Sequence, residues 1–186
     1  MKKRLGVFWR EWLLPAVMVV AVLAPLRSAV ADWNDVPSGS MMPTILVGDR
    51  IFINKLAYDL KVPFTTWQVA KWADPQRGDI VVFRYPRDTS KSYIKRVIGV
   101  AGDRIRIENG QVFVNEEALG EEYVPSEYAD ARSYPEVVVP RNSYFVLGDH
   151  RTMSNDSRDF GPVNERYIYG KAVFGYWPME KLGRLR

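Results

Sequence analysis

Along most of the chain, apolar residues alternate with polar ones in short runs, the period-two pattern of strands buried on one face. RIFIN from Arg50, DIVVFRY from Asp79, SYIKRVIGV from Ser92 and DRIRIEN from Asp103 read this way. So do QVFVN from Gln111, EVVVP from Glu136, SYFVLGD from Ser143 and YIYGKAVFGYW from Tyr167. Turn residues bound nearly all of them. Between DRIRIE and QVFVN stands Asn109-Gly110, the strongest short-range signal for a two-residue hairpin turn. The pattern predicts a mostly β fold of antiparallel sheets in a closed or nearly closed architecture. Two stretches depart from it. Leu56 to Trp72 predicts a helical turn, and the acidic, tyrosine-bearing stretch from Glu116 to Pro135 predicts an exposed loop. A small cap or loop region is therefore expected around residues 108–140.

The N-terminus differs in kind. WLLPAVMVVAVLAPL, Trp12 to Leu26, carries no charge over 15 residues, which is short of the roughly 20 a spanning helix needs. Phe8 and Trp9 suit the interface, and Arg10 and Arg27 can snorkel, which extends the segment to a workable span. One membrane helix within residues 1–31, followed by an exported domain over residues 32–186, is expected. A cleaved secretory signal accounts for the same stretch, since Ala29-Val30-Ala31 has the small-x-small form of a cleavage site. Either way, everything after residue 31 reaches the same side of the membrane.

The formal net charge of +4 resides in that N-terminus, where Lys2, Lys3, Arg4, Arg10 and Arg27 oppose Glu11. The remainder is close to neutral, so no basic groove and no nucleic-acid partner is expected. Positive charge before an apolar run keeps that end in the cytoplasm, with the following domain outside. With no cysteine, the chain has no disulfide, thiol nucleophile or thiolate metal site. A single histidine excludes a multi-histidine centre, and no carboxylate cluster suggests a metal. Neither metal nor cofactor is expected.

Three segments could carry chemistry. PSGSMMPTIL from Pro37 is a serine-bearing turn lying just beyond the apolar segment, and it also reads as an ordinary loop. A serine attacks only when a base takes its proton. His150 with Asp149 tempts a triad, but neighbours on an extended segment point to opposite faces. Lysine serves when burial lowers its pKa. Lys2 and Lys3 lie across the membrane, Lys71 and Lys91 in polar surroundings and Lys181 near the chain end. Lys95 shares a strand face with Tyr93 and Val97, although a half-exposed strand lysine would fit the same pattern. GDHRTMSNDSRDFG from Gly148 is rich in hydrogen-bonding groups and could orient such a lysine, or be a polar loop closed by Asp156 and Arg158.

In combination these segments resemble the type I signal peptidase family. PSGSMMPT at 37, RGDIVVF at 77, YIKRVIGVAGD at 93 and GDHRTMSNDSRDFG at 148 are similar to its successive boxes, in order, between about Arg27 and Trp177. The resemblance implies Ser40 as nucleophile, Lys95 as general base and then general acid, and Ser38 as a donor to the oxyanion. It further implies that Ser154 hydrogen-bonds Lys95 while Asp156 and Arg158 shape their loop beside Gly148. Val36, Met41, Ile45, Tyr93 and Ile94 would wall two shallow pockets for small side chains. The implied partners are signal peptides of exported preproteins and the lipid bilayer, and the implied state is a monomer in the inner or plasma membrane. Where the family commonly reads GDNRDNSxDSR, this chain has His150, Thr152 and Met153. The rival expectations are a dedicated processing peptidase of the conjugation type, a self-cleaving repressor and a non-catalytic envelope β-binding module. The repressor is disfavoured by the apolar segment and the lack of a DNA-binding module, and the module by retention of both Ser40 and Lys95.

Overall fold

The computed structural model describes residues 9–19, 30–62, 65, 67–178 and 183–185. Every alternating run named above forms a strand: β2 (Arg50–Asn54), β5 (Ile80–Tyr85), β6 (Asp88–Gly99), β7 (Arg104–Glu108), β8 (Gln111–Val114), β10 (Tyr134–Val138), β11 (Ser143–Leu147) and β13 (Ile168–Trp177). Shorter strands complete the sheets: β1 (Ala31–Asp35), β3 (Asp59–Lys61), β4 (Gln68–Lys71), β9 (Glu117–Ala118), β12 (Val163–Asn164) and β14 (Gly183–Arg184). All pairings are antiparallel.

An eight-stranded sheet runs β1-β2-β13-β5-β6-β11-β12, with β14 also on β13. A four-stranded sheet runs β10-β7-β8-β9. Among the described residues neither of these sheets closes on itself, so of the expected closed or nearly closed architecture the closed form is corrected. Closure requires the first and last strands to pair, and here the last is the two-residue β12, bonded only to β11, while β1 bonds only to β2. The Leu56 to Trp72 stretch, where a helical turn is expected, begins in a turn at residues 55–58, and among its described residues β3 and β4 pair as a separate hairpin. The Asn109-Gly110 turn forms as read, with φ of 49° and 83°, joining Glu108 to Gln111. In the expected cap, the loop is interrupted by β9 and a short 3-10 turn, Ser126–Tyr128.

Residues 9–19 are helical, but no helix of the described residues is long and apolar enough to cross a membrane. The expected spanning segment, Trp12 to Leu26, lies partly outside the described residues.

Because β5 and β6 are central, both of their faces are covered. Ile80 and Val82 of β5 enter one apolar cluster with Val36, Met41, Ile45, Ile51, Ile53 and Ala172, while Val81 and Phe83 enter another with Val97, Tyr144, Val146 and Ile168. A third cluster, including Ile98, Ile105, Val112 and Leu147, joins the two large sheets. Each such aliphatic side chain contributes roughly 1.5 to 3 kcal/mol by leaving water. A lysine in β6 at this level has no exposed face to occupy.

Candidate active site

Ser40 sits in a turn after β1 whose shape follows from its neighbours. Met41 and Ile45 are wholly buried in the first cluster and pull the turn onto the sheet. Its backbone closes by Met42 N–H to Gly39 O at 3.0 Å and Ile45 N–H to Met41 O at 2.9 Å, while Asp49 accepts from Leu46 N–H at 2.8 Å. This holds Ser40, itself 8% exposed, over β6.

There the ammonium nitrogen of Lys95 lies 2.5 Å from Ser40 Oγ, across 55 residues of sequence. Lys95 is 3% exposed, and the Tyr93 ring centroid is 5.6 Å from its Nζ. Burial is the main reason its pKa falls from an ordinary 10.5 to about 8; Asp156 and Asp149 oppose the fall and Arg158 adds to it. A lysine so poised can be neutral near the working pH and take a proton from the hydroxyl it touches. Ser38 Oγ lies 3.4 Å from Ser40 Oγ.

The polar loop after β11 closes over the back of this pair. Asp156 accepts from the Gly148 amide at 3.1 Å and from Arg158 Nε at 2.8 Å and Nη2 at 2.9 Å, and it caps the short helix Ser157–Phe160. Gly148 is required by proximity. A Cβ there would lie 2.2 Å from Ser154 Oγ and 2.4 Å from Ser40 O, so a side chain would push the loop off the serine turn. The His150 amide then donates to Ser40 O at 3.1 Å.

Ser154 Oγ is buried beside Gly148 but makes no hydrogen bond, so the Ser154 to Lys95 bond implied by the resemblance is not formed. Lys95 Nζ points instead at Ser40 Oγ. The His150 ring takes no part either: it meets Thr152 Oγ1 at 3.2 Å and the Tyr128 ring at 4.7 Å. Of the expected pocket residues, Val36, Met41 and Ile45 are at most 3% exposed within the first apolar cluster, whereas Ile94, packed against that cluster, and Tyr93, packed against the second, keep accessible surface.

Sequence reasoning missed the ion pair that joins these segments. Arg96 donates to both oxygens of the wholly buried Asp149, at 2.9 and 2.7 Å, and Thr44 Oγ1 donates to the same carboxylate at 2.5 Å. Serine turn, β6 and polar loop thus share one carboxylate. The available signal was two consecutive basic residues in an apolar strand, which alternation sends to opposite, equally buried faces. No group of His, Cys, Asp and Glu suited to a metal occurs among the described residues.

The family model described as signal peptidase, peptidase S26, matches residues 9–177. The chain belongs to that family. Among its relatives, a signal peptidase I of Pseudomonas fluorescens is 35% identical, over 99% of this chain and 78% of its own length. A probable signal peptidase I-2 of Synechocystis is 38% identical over 95% of this chain and 77% of its own. A crystallised signal peptidase I from Enterococcus faecalis is 32% identical and superposes with a TM-score of 0.48, covering 53% of this chain and 96% of that one. The peptidase is accordingly a hydrolase, a serine endopeptidase of the signal peptidase I kind.

Proposed function

We propose that this enzyme removes N-terminal signal peptides from exported preproteins after a small-x-small site, with Ser40 as nucleophile and Lys95 as base. The observation that carries the reading is the buried contact of 2.5 Å between Lys95 Nζ and Ser40 Oγ. Neutral Lys95 takes the hydroxyl proton as Ser40 Oγ attacks the scissile carbonyl, and the resulting ammonium returns it to the leaving amine. Water then releases the acyl group by the same path. The Ser40 amide and Ser38 hydroxyl suit the oxyanion, and Gly148, Asp156 and Arg158 support the loop behind the lysine.

A place for an extended substrate is also available. Among the described residues, β11 pairs with β6 only from Arg96 onward, while the backbone of Tyr93 to Lys95 is paired to β5 alone. A peptide strand added at that edge would run towards Ser40. By the family resemblance Val36, Met41, Ile45, Tyr93 and Ile94 would wall the pockets for its small side chains, with Ile94 on the side of the first three. In this reading residues 1–31 form a single-pass anchor with its N-terminus cytoplasmic, residues 32–186 act outside as a monomer, and no cofactor is used. Pairing of Ala31 with Asn54 supports retention of the anchor, because a strand already in a sheet cannot thread an active site.

Incubating detergent-solubilised protein with a preprotein and sequencing the new N-terminus tests activity and cleavage site together; an unprocessed preprotein would reject the reading. Two further outcomes are expected. Since the base must be neutral and its pKa is about 8, kcat/KM should rise with pH through a midpoint near 8, about tenfold per pH unit below it. A profile flat from pH 6 to 9 would exclude Lys95 as base. His150→Ala should keep at least about a tenth of the activity, a barrier change of about 1.4 kcal/mol at most; a loss matching Ser40→Ala would restore histidine to the mechanism.

A further inference from the structure

The acidic, tyrosine-bearing stretch between β9 and β10 has no part in the chemistry above, yet its side chains reach the arginines behind the catalytic pair. Glu121 pairs with Arg151, with Arg151 Nη1 donating at 2.9 Å, and the Tyr123 ring lies 4.0 Å from the Arg96 guanidinium. Asp130 accepts from Arg158 Nη1 at 2.8 Å, and Tyr134 flanks the same guanidinium at 5.4 Å. These are not surface pairs of the kind worth little: the side chains of Arg158 and Asp130 are 3% and 8% exposed.

The geometry points to Asp130 as a positioning residue for the Ser40 and Lys95 pair, acting through Arg158. This step rests on the Ser/Lys reading above. Asp130 is itself fixed by the hairpin turn that the sequence announces. The Gly110 amide donates to Arg132 O at 3.1 Å and the Asn109 amide to Ser133 Oγ at 2.9 Å, and a Cβ on Gly110 would stand 1.6 Å from Asp130 O. Only a glycine lets the two segments touch so closely. From Asp130 the chain of contacts continues to Arg158, whose other donors hold both oxygens of Asp156 and the Arg151 carbonyl at 2.7 Å. Asp156 holds the Gly148 amide, and Gly148 abuts Ser40 O.

The charges give this chain a sign. Lys95 is faced by Asp149 and Asp156, which favour its charged form, and by Arg158, which disfavours it; Arg96 neutralises Asp149 from the same strand. Arg158 is faced by Asp156 from its own loop and by Asp130, Arg132 and Tyr134 from the cap. While Asp130 holds Arg158 in place, the Asp156 charge is compensated. Release of Arg158 leaves Asp156 to hold the ammonium form, which moves the working pH upward. Simple loss of a nearby negative charge would move it downward instead.

The test measures kcat and KM separately between pH 6 and 10 on a synthetic signal-peptide substrate. Asp130→Asn is expected to lower kcat about tenfold with KM nearly unchanged, and to raise the midpoint of the kcat/KM limb by about half a pH unit. Asp130→Glu, which keeps the charge, should stay within about threefold of the wild type. The limb reads only folded, active molecules, so partial unfolding does not imitate the shift. If Asp130→Asn gives no folded protein, Glu121→Gln takes its place with the same expected signs, since it weakens the cap's hold on Arg151, which donates to Gly148 O at 3.0 Å and whose carbonyl accepts from Arg158. An unmoved or lowered midpoint with full kcat overturns the proposal. A Lys95→Met enzyme that still turns over overturns the Ser/Lys reading, and this inference with it.

Discussion

Ser40→Ala and Lys95→Met should each abolish processing of a preprotein, by about 10⁴-fold or more, and the double variant should be no worse than either alone. Non-additivity follows from the geometry, since a base with no hydroxyl 2.5 Å away and a hydroxyl with no base are equally idle. The two variants should part company in stability. Burial lowers the folded-state pKa of Lys95 from 10.5 to about 8, so below 8 the folded protein carries a poorly solvated ammonium at a cost of about 3 kcal/mol. Between pH 8 and 10.5 the unfolded chain binds more protons than the folded one, and stability rises with pH across that window. Lys95→Met, which fills the same space without a charge, should melt higher than wild type at pH 7 and lose that rise. Ser40→Ala should keep it. Substantial turnover by either variant, measured with the preprotein assay, would remove the dyad from the mechanism.

The strands were legible because their cause is local. Alternation in RIFIN or DRIRIE reports which face meets the core, and Asn109-Gly110 reports a turn with positive φ at both residues; neither needs a distant partner to be read. Sheet order and closure were not legible. Whether β12 could meet β1 depends on registers and on a two-residue strand that no periodicity marks. In Leu56 to Trp72 the turn at residues 55–58 was legible, whereas the pairing of Asp59 with Lys71 was not, because it depends on a partner 12 residues away.

Within the site, legibility divides in the same way. Ser40 and Lys95 stood out because a braced serine turn and a lysine in an apolar strand are each locally odd. Glu121 and Asp130 did not, since carboxylates in an acidic loop are ordinarily solvated. What makes them buried ligands of Arg151 and Arg158 is a partner 30 and 28 residues away. Asp149 was read only as a poor neighbour for His150. Its real partner, Arg96, lies 53 residues earlier on a strand whose two faces are both covered.

That pair sets the second large effect. Asp149→Ala should destabilise the fold by about 3 to 5 kcal/mol, because it strands a buried guanidinium whose two best acceptors are the carboxylate oxygens. Arg96→Met should cost less: the Asp149 carboxylate keeps the Thr44 hydroxyl, and no fixed cation is left behind. The two losses should not add in Arg96→Met with Asp149→Leu, where apolar groups of similar volume replace both charges; that double variant should be more stable than Asp149→Ala alone. Activity should nevertheless stay low in it. Thr44 on the serine turn, Arg96 on β6 and the polar loop converge on one carboxylate, and Lys95 is the residue next to Arg96. Without the shared acceptor the serine turn keeps the His150 amide on Ser40 O but loses its tie to β6, and Ser40 is held less closely against Lys95. Urea unfolding of the three variants, with preprotein processing measured on the folded fraction, separates the two effects. A double variant that regains stability and full activity together would mean that the ion pair holds the fold and has no part in aligning the serine with the lysine.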